Sequence, residues 1–329
     1  MIIVSKDGTG DFKTIQAAIN SVPENNDKEV EIFISKGTYK EKLSIIAPYI
    51  TLKGEKAEET IITYDDYAKK KVENGIEYRT FNSYTMFVGG DNFTAENLTI
   101  KNSAGYGETI GQTIALYVEG DRQRFKNCRI LGTNDTLFTG PVPEDASDYK
   151  ESGSPMEGKE KKIGRQYFEK CFIEGTGDII FGSATAVFSR CKIYSNNKNA
   201  DAKGYVTCAS TRKGQEYGYV FLDCSLKSAE TTDNVYLGRP WRDSAKAVFA
   251  DCYMGAQINK EGFDDSRRKS AEKECYYAEY NSYGYGGRNI ENRVKYEHVL
   301  DKNEVQKYKI EKILSGNDNW KFSFDKYTK

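Results

Sequence analysis

The chain has 329 residues, with 48 Lys and Arg against 49 Asp and Glu and a formal net charge of −1. That balance excludes nucleic acid and an anionic membrane as bulk electrostatic partners, and no apolar run approaches the ~18–20 residues of a membrane span. The seven cysteines are odd in number, include no Cys-x-x-Cys pair and accompany a single histidine, which argues against a zinc site and against complete internal pairing.

The first eight residues carry no basic start, apolar stretch or small-residue cleavage site. The expectation is a cytoplasmic protein, with export behind a removed signal as the alternative. Residues 14–19 fit a short helix with Ile15, Ala18 and Ile19 on one face, well placed to cap whatever follows. Residues 64–85, rich in Lys, Glu and Tyr, read as a long excursion, either a cleft wall or a solvated loop. Phe93 to Ile100 then alternates like a strand.

From there a pattern recurs. Cys128, Cys171, Cys191, Cys224 and Cys252 each follow a phenylalanine by three residues, after Phe125, Phe168, Phe188, Phe221 and Phe249. The Phe93 segment reads as an earlier relative with Asn97 in place of the cysteine. As small buried hydrophobes the cysteines suit a core. The spacings are 43, 20, 33 and 28 residues. A constant strand-like core at a variable period describes a solenoid whose turns carry loops of different length. The predicted fold is therefore all-β, a right-handed parallel β-helix forming one domain over residues 1–329, with coils stacked at ~4.8 Å. Residues 141–164, rich in Pro, Glu, Lys, Ser and Gly, form a second excursion. From about residue 291 the chain is charged with scattered apolar positions and reads as one or two helices lying on the solenoid. The lone His298 falls there, and no Gly-x-Ser-x-Gly elbow accompanies it.

One repeat bears chemistry. Gly132-Thr133-Asn134-Asp135-Thr136-Leu137-Phe138 returns 43 residues later as Gly175-Thr176-Gly177-Asp178-Ile179-Ile180-Phe181. If these coils stack, Asp135 and Asp178 lie roughly 5–7 Å apart. Two such carboxyls resist ionising together, which separates an acid from a base or nucleophile. Their plain alternative is two turn formers. Arg239, in Leu237-Gly238-Arg239-Pro240-Trp241, is the candidate cation that would hold one of them ionised. Trp241 offers a flat face suited to a sugar ring.

These segments resemble the pectin methylesterases, or pectinesterases. Gly37-Thr38-Tyr39-Lys40-Glu41 is similar to the family's G-x-Y-x-E, Gln112-Thr113-Ile114-Ala115-Leu116 to Q-A-x-A-L, and Asn134-Asp135-Thr136-Leu137 to Q-D-T-L. Asp178-Ile179-Ile180-Phe181-Gly182 is similar to D-F-I-F-G, and Leu237 to Trp241 matches L-G-R-P-W. The resemblance implies the same β-helix, hydrolysis of methyl esters on galacturonate units of pectin, and no metal or organic cofactor. It makes Asp178 the nucleophile, Asp135 the general acid and base, Arg239 the partner of Asp178, and Gln112 an oxyanion donor. It lays Phe181, Trp241 and Phe138 along the sugar-binding cleft. Asn134 stands where the family has Gln, one methylene short for a second oxyanion donor, and Ile179 replaces a Phe. The expected partner is pectin or methylated oligogalacturonides, bound by a monomer. A polygalacturonase or pectate lyase on the same scaffold, or a non-catalytic carbohydrate-binding solenoid, are the alternatives.

Overall fold

The computed structural model describes residues 1–72, 75–143, 153–197, 202–229, 233–288 and 290–323. Through them the backbone winds as a right-handed parallel β-helix. Three sheets of eleven, eight and seven strands run along it, and each coil adds one strand to a sheet in parallel register with the coil before. Strand side chains alternate inward and outward, so one residue in two feeds a continuous core.

The repeated phenylalanines form that core's spine. Phe125, Phe168, Phe188, Phe221 and Phe249 pair in register on successive coils. Their rings stack at 4.7, 4.7, 4.6 and 4.5 Å, tilted by no more than 11°. Just before each cysteine the chain enters the left-handed region, at Asn127, Lys170, Arg190, Asp223 and Asp251 (φ 51 to 54°). That single residue bends one strand into the next. It also turns the cysteine inward, where its thiol donates to the main-chain carbonyl of the preceding coil's stacked residue, as Cys171 does to Phe125 at 3.5 Å and Cys224 to Phe188 at 3.2 Å. All seven cysteines are free and buried.

The earlier relative takes a different register from the one expected. Ala95, not Phe93, pairs with Phe125, and Asn97 (φ 55°) is the bend residue. Asn127 Nδ2 donates to Asn97 Oδ1 at 3.3 Å. Leu98 therefore takes the cysteine's place. The left-handed bend, not the aromatic residue, sets the register.

The N-terminal end is closed by the helix Ile15–Asn20, with Ile15, Ala18 and Ile19 buried. Thr14 Oγ1 accepts from Ala17 N, and the Glu41 carboxylate accepts from Ile15 N and Gln16 N at 3.0 and 2.9 Å. The acid of the Gly37–Glu41 motif thus satisfies first-turn donors that a helix leaves open.

The C-terminal segment is a strap that carries one short α-helix, within the one or two expected. It uses 3-10 turns and the five-residue helix Ile310–Leu314. Leu300, Ile313 and Leu314 cover the outward Tyr167, Val187, Val220, Val248 and Ala278. Arg165 ties it down, donating to Leu314 O at 3.1 Å and to Asp318 Oδ1 at 2.6 Å. His298 lies in the short strand Glu297–Val299, paired with Tyr276–Tyr280 and stacked on Tyr276 at 4.7 Å. It sits far from the acid pair along the chain and in a different sheet.

Candidate active site

The outward face of the sheet that contains Leu137–Thr139, Asp178–Gly182, Gly204–Ala209 and Val235–Pro240 carries the site. Leu137 pairs with Ile180 and Phe138 with Phe181, so Asp135 and Asp178 occupy equivalent places on adjacent coils, as the duplication predicts. Their backbones differ. Asp178 opens a strand, whereas Asp135 sits in the left-handed region at φ 58°. Asp178 N donates to Asp135 Oδ1 at 3.4 Å. Gly177 (φ 62°) allows the approach, because a Cβ there would lie 2.1 Å from Asn134 Oδ1.

Arg239 comes from two coils further on. Its Nε and Nη2 donate to Asp178 Oδ1 and Oδ2 at 2.8 and 2.6 Å, a bidentate pair. The Tyr205 ring lies under the guanidinium at 4.8 Å. Tyr205 is itself fixed by donating its hydroxyl to Asp264 Oδ2 at 2.8 Å. Among the described residues no cation pairs with Asp135 in this way. Burial, and then the negative charge of Asp178, push its carboxyl up to about 8. One acid is thus neutralised by a guanidinium and its neighbour by a proton.

Together these groups border a cleft of about 570 Å³, lined by Asp135, Asp178, Arg239, Gln112, Phe181 and Trp241 among others. Gln112 Oε1 accepts from the Thr80 hydroxyl at 3.3 Å, which leaves the Nε2 donors for the cleft. Trp241 stacks near Phe81 (6.4 Å, 18°) and leans on Phe181 (6.0 Å). Cys208 lies on the floor, but burial and the Asp178 charge hold its thiol well above its ordinary range, so it is no nucleophile.

Two expected residues sit elsewhere. Phe138, expected along the cleft, has no exposed surface. Phe81 covers it at 4.8 Å and Phe181 at 4.9 Å, so it supports the floor from beneath. Asn134 does not border the cleft. Its Nδ2 is turned back to donate to Gly111 O at 3.3 Å.

The structure also adds residues that sequence reasoning missed. Thr80 and Phe81 come from the 64–85 excursion, which is a wall of the cleft. Lys42 anchors it, with Nζ on Asp66 Oδ2 at 2.7 Å and Asn82 O at 2.6 Å. Arg242, Ser266 and Arg268 close the other side. Arg242 adjoins the Leu237–Trp241 motif and could have been found from it, whereas Ser266 and Arg268 lie in a loop without a repeat to announce them. Of the 141–164 excursion, residues 144–152 lie outside the described residues; Met156 beyond them packs beside the aromatic floor.

Residues 1–142 and 161–317 match the profile described as pectinesterase. The chain is 34% identical to pectinesterase 31 of Arabidopsis thaliana over 87% of its own length and 83% of the relative's. Among solved structures it superposes on a pectin methylesterase from carrot with a TM-score of 0.80 and 28% identity, covering 96% of this chain and 93% of the other. It also superposes on a pectin methylesterase in complex with a hexasaccharide, with a TM-score of 0.78, 28% identity and 98% of each chain covered. By that profile, which spans nearly all of its length, the chain belongs to the pectinesterase family.

Proposed function

We propose that the chain is a carboxylic-ester hydrolase that removes methyl groups from galacturonate units of pectin or its oligomers and releases methanol. The observation that carries this reading is the unequal acid pair: Asp178 gripped by Arg239 beside a protonated Asp135. The aromatic cleft and the relatives named above support the substrate.

The geometry performs the reaction in two steps. An Asp178 oxygen attacks the ester carbonyl. Negative charge moves to the carbonyl oxygen, where the Gln112 amide, oriented by Thr80, can donate to it. Asp135 gives its proton to the departing methoxide, and the methanol leaves. Water then attacks the mixed anhydride, Asp135 takes its proton, and Asp178 is released as carboxylate. A glycosidase would leave Arg239 without a purpose at this position. The seven free, buried cysteines support a reducing compartment, hence a cytoplasmic enzyme acting on imported methylated oligogalacturonides.

The test is to incubate the protein with highly methylated pectin and follow methanol, acid, reducing ends and unsaturated ends together. Methanol with acid and no chain cleavage is expected. New reducing or unsaturated ends without methanol would overturn the reading in favour of a glycosidase or a lyase.

A further inference from the structure

The three sheets turn their outward side chains to different surroundings. The seven-stranded sheet carries the acids and the cleft, and the strap covers outward residues of the eleven-stranded sheet. The eight-stranded sheet stands outside both. On it Arg129, Phe172, Lys192, Ser225 and Tyr253 pair in register on successive coils, and Tyr283 bridges to Tyr253 on the next. These side chains form one outward row, because the residues that follow the first five, Ile130, Ile173, Ile193, Leu226 and Met254, point into the core and are buried. A second outward row, two residues further along the strands, holds Glu174, Tyr194 and Lys227.

Rings and cations alternate along this face. Arg129 lies over the Phe172 ring at 5.3 Å and Lys227 over the Tyr253 ring at 5.3 Å. Phe172 and Tyr194 are 6.1 Å apart, and Tyr253 and Tyr283 are 5.6 Å apart. Lys192 and Lys227 are exposed, and neither has a carboxylate in ion-pair contact among the described residues. Arg129 has a loose one, Glu58 at 3.8 Å. Glu174, the acid among the rows, accepts from Asn196 Nδ2 at 3.2 Å. Near Arg129 the face opens into a cavity of about 610 Å³, where Lys56, Arg129, Lys170 and Lys192 outnumber Glu55 and Glu58. Tyr283, at the far end, is 55% exposed.

Aromatic rings hold the apolar faces of sugars, and cations hold carboxylates. From Arg129 to Tyr283 the row crosses five strand spacings, ~24 Å, room for several sugar rings. The cations are separated by rings, with one acid among them. That spacing suits a polymer charged at intervals and opposes one charged on every unit, such as a nucleic acid. A partly methylated galacturonan has the matching pattern, with free carboxylates between neutral esters.

We propose that the outward face of the eight-stranded sheet is a second, non-catalytic binding site for such an acidic polysaccharide. The identity of the polymer rests on the pectinesterase reading. Gly175, which ends a strand of this face, precedes Asp178 by three residues, so the face meets the catalytic sheet around one tight corner. A chain held on it stays close to the acids while outside the cleft, which raises its effective concentration there.

The test compares the parent with a double variant, Lys192→Glu with Lys227→Glu, after thermal melting has confirmed the fold. On a long, partly methylated polymer the double variant should raise the KM for methanol release about tenfold, ~1.4 kcal/mol over two exposed contacts, with kcat unchanged. On a methylated trimer, too short to span the face, KM should stay the same. The same reversal at Lys302 and Lys309, exposed on the strap, controls for net charge and should leave both values unchanged. An unchanged KM on the polymer, an equal rise on the trimer, or an equal rise in the strap control overturns the proposal. Calorimetric titration with unmethylated polygalacturonate, dextran and a single-stranded oligonucleotide identifies the ligand: the parent should bind polygalacturonate most tightly, and equal or tighter binding of either other polymer overturns the assignment. If the parent releases no methanol, the esterase reading falls, and the titration still decides the site. A tenfold loss of polygalacturonate affinity in the double variant supports it, and equal affinity overturns it.

Discussion

Replacing Arg239 by Gln removes the charge and one arm of the fork while keeping a polar side chain. In the parent, the two bonds to Asp178 are 2.8 and 2.6 Å, and the Asp178 side chain is 11% exposed. Breaking a buried ion pair from one side costs ~3–5 kcal/mol, because the other charge is left desolvated. The Arg239 side chain is 36% exposed, so solvent screening favours the low end, about 3 kcal/mol. Without the guanidinium, Asp178 and Asp135 share one proton and one charge, and the population with Asp178 charged and Asp135 protonated is diluted. The attacking oxygen also loses its orientation. Converted into a barrier, ~3 kcal/mol is about two orders of magnitude in rate. The expected result is a kcat about 100-fold lower at pH 7 with KM changed much less, measured by methanol release across a pH series, with thermal melting to confirm folding. A folded variant with kcat within fivefold of the parent would refute the claim that this pair organises the nucleophile.

Asp135→Asn should lower kcat by ~10²–10⁴, as loss of a general acid does. The same change has a stability signature: with Asp135 raised to about 8, the folded chain holds a proton that the unfolded chain releases near pH 4. Stability therefore falls as pH climbs from about 4 to about 8, and the Asn variant should melt higher than the parent at pH 8 but not at pH 4; equal melting at both would contradict a protonated Asp135. In the parent, kcat/KM should decline on the alkaline side through about pH 8, as Asp135 loses the proton it donates. Thr80→Val deletes the bond that orients Gln112 and should cost about tenfold in kcat with little change in KM; an equal rise in KM would make Thr80 a substrate contact instead. Asn134→Gln lengthens the amide now held by Gly111 O by one methylene, and an increased kcat is expected; an unchanged one means that Gln112 alone serves the oxyanion.

The stacked acids and Arg239 were legible because repetition in a solenoid converts sequence offset into spatial contact. Asp135 and Asp178 share a local motif, and the β-helix leaves equivalent positions one layer apart. The register at Ala95 was not legible from aromatic spacing. It depends on a left-handed residue, and Asn, Lys, Arg and Asp all fill that place. Phe138 was misplaced for a different reason: alternation along a strand says that its ring points outward, but not that Phe81, from a distant excursion, comes back to cover it. Thr80, Ser266 and Arg268 belong to loops whose paths are set by anchors such as Lys42 on Asp66, contacts between segments of different coils. The helical character of the C-terminal strap was legible but its extent was not, because scattered apolar residues suit a helix face and an irregular tail lying on a sheet equally well.

The phenylalanine spine has a consequence for how the molecule comes apart. Each ring touches chiefly the ring above and the ring below, so coupling passes from neighbour to neighbour along one dimension. Opening should begin at the tips, with the 15–20 helix at one end and the coil of Tyr276–Tyr280 at the other, while the strap runs along the side from Tyr167 to Ala278. The two acids occupy interior turns, whereas Arg239 sits on Val235–Pro240, the edge strand of its sheet at the C-terminal end. Fraying from the N-terminal end would then leave the cleft assembled, whereas fraying from the C-terminal end reaches Arg239 early, so methanol release should outlast melting of the first turns but not of the last.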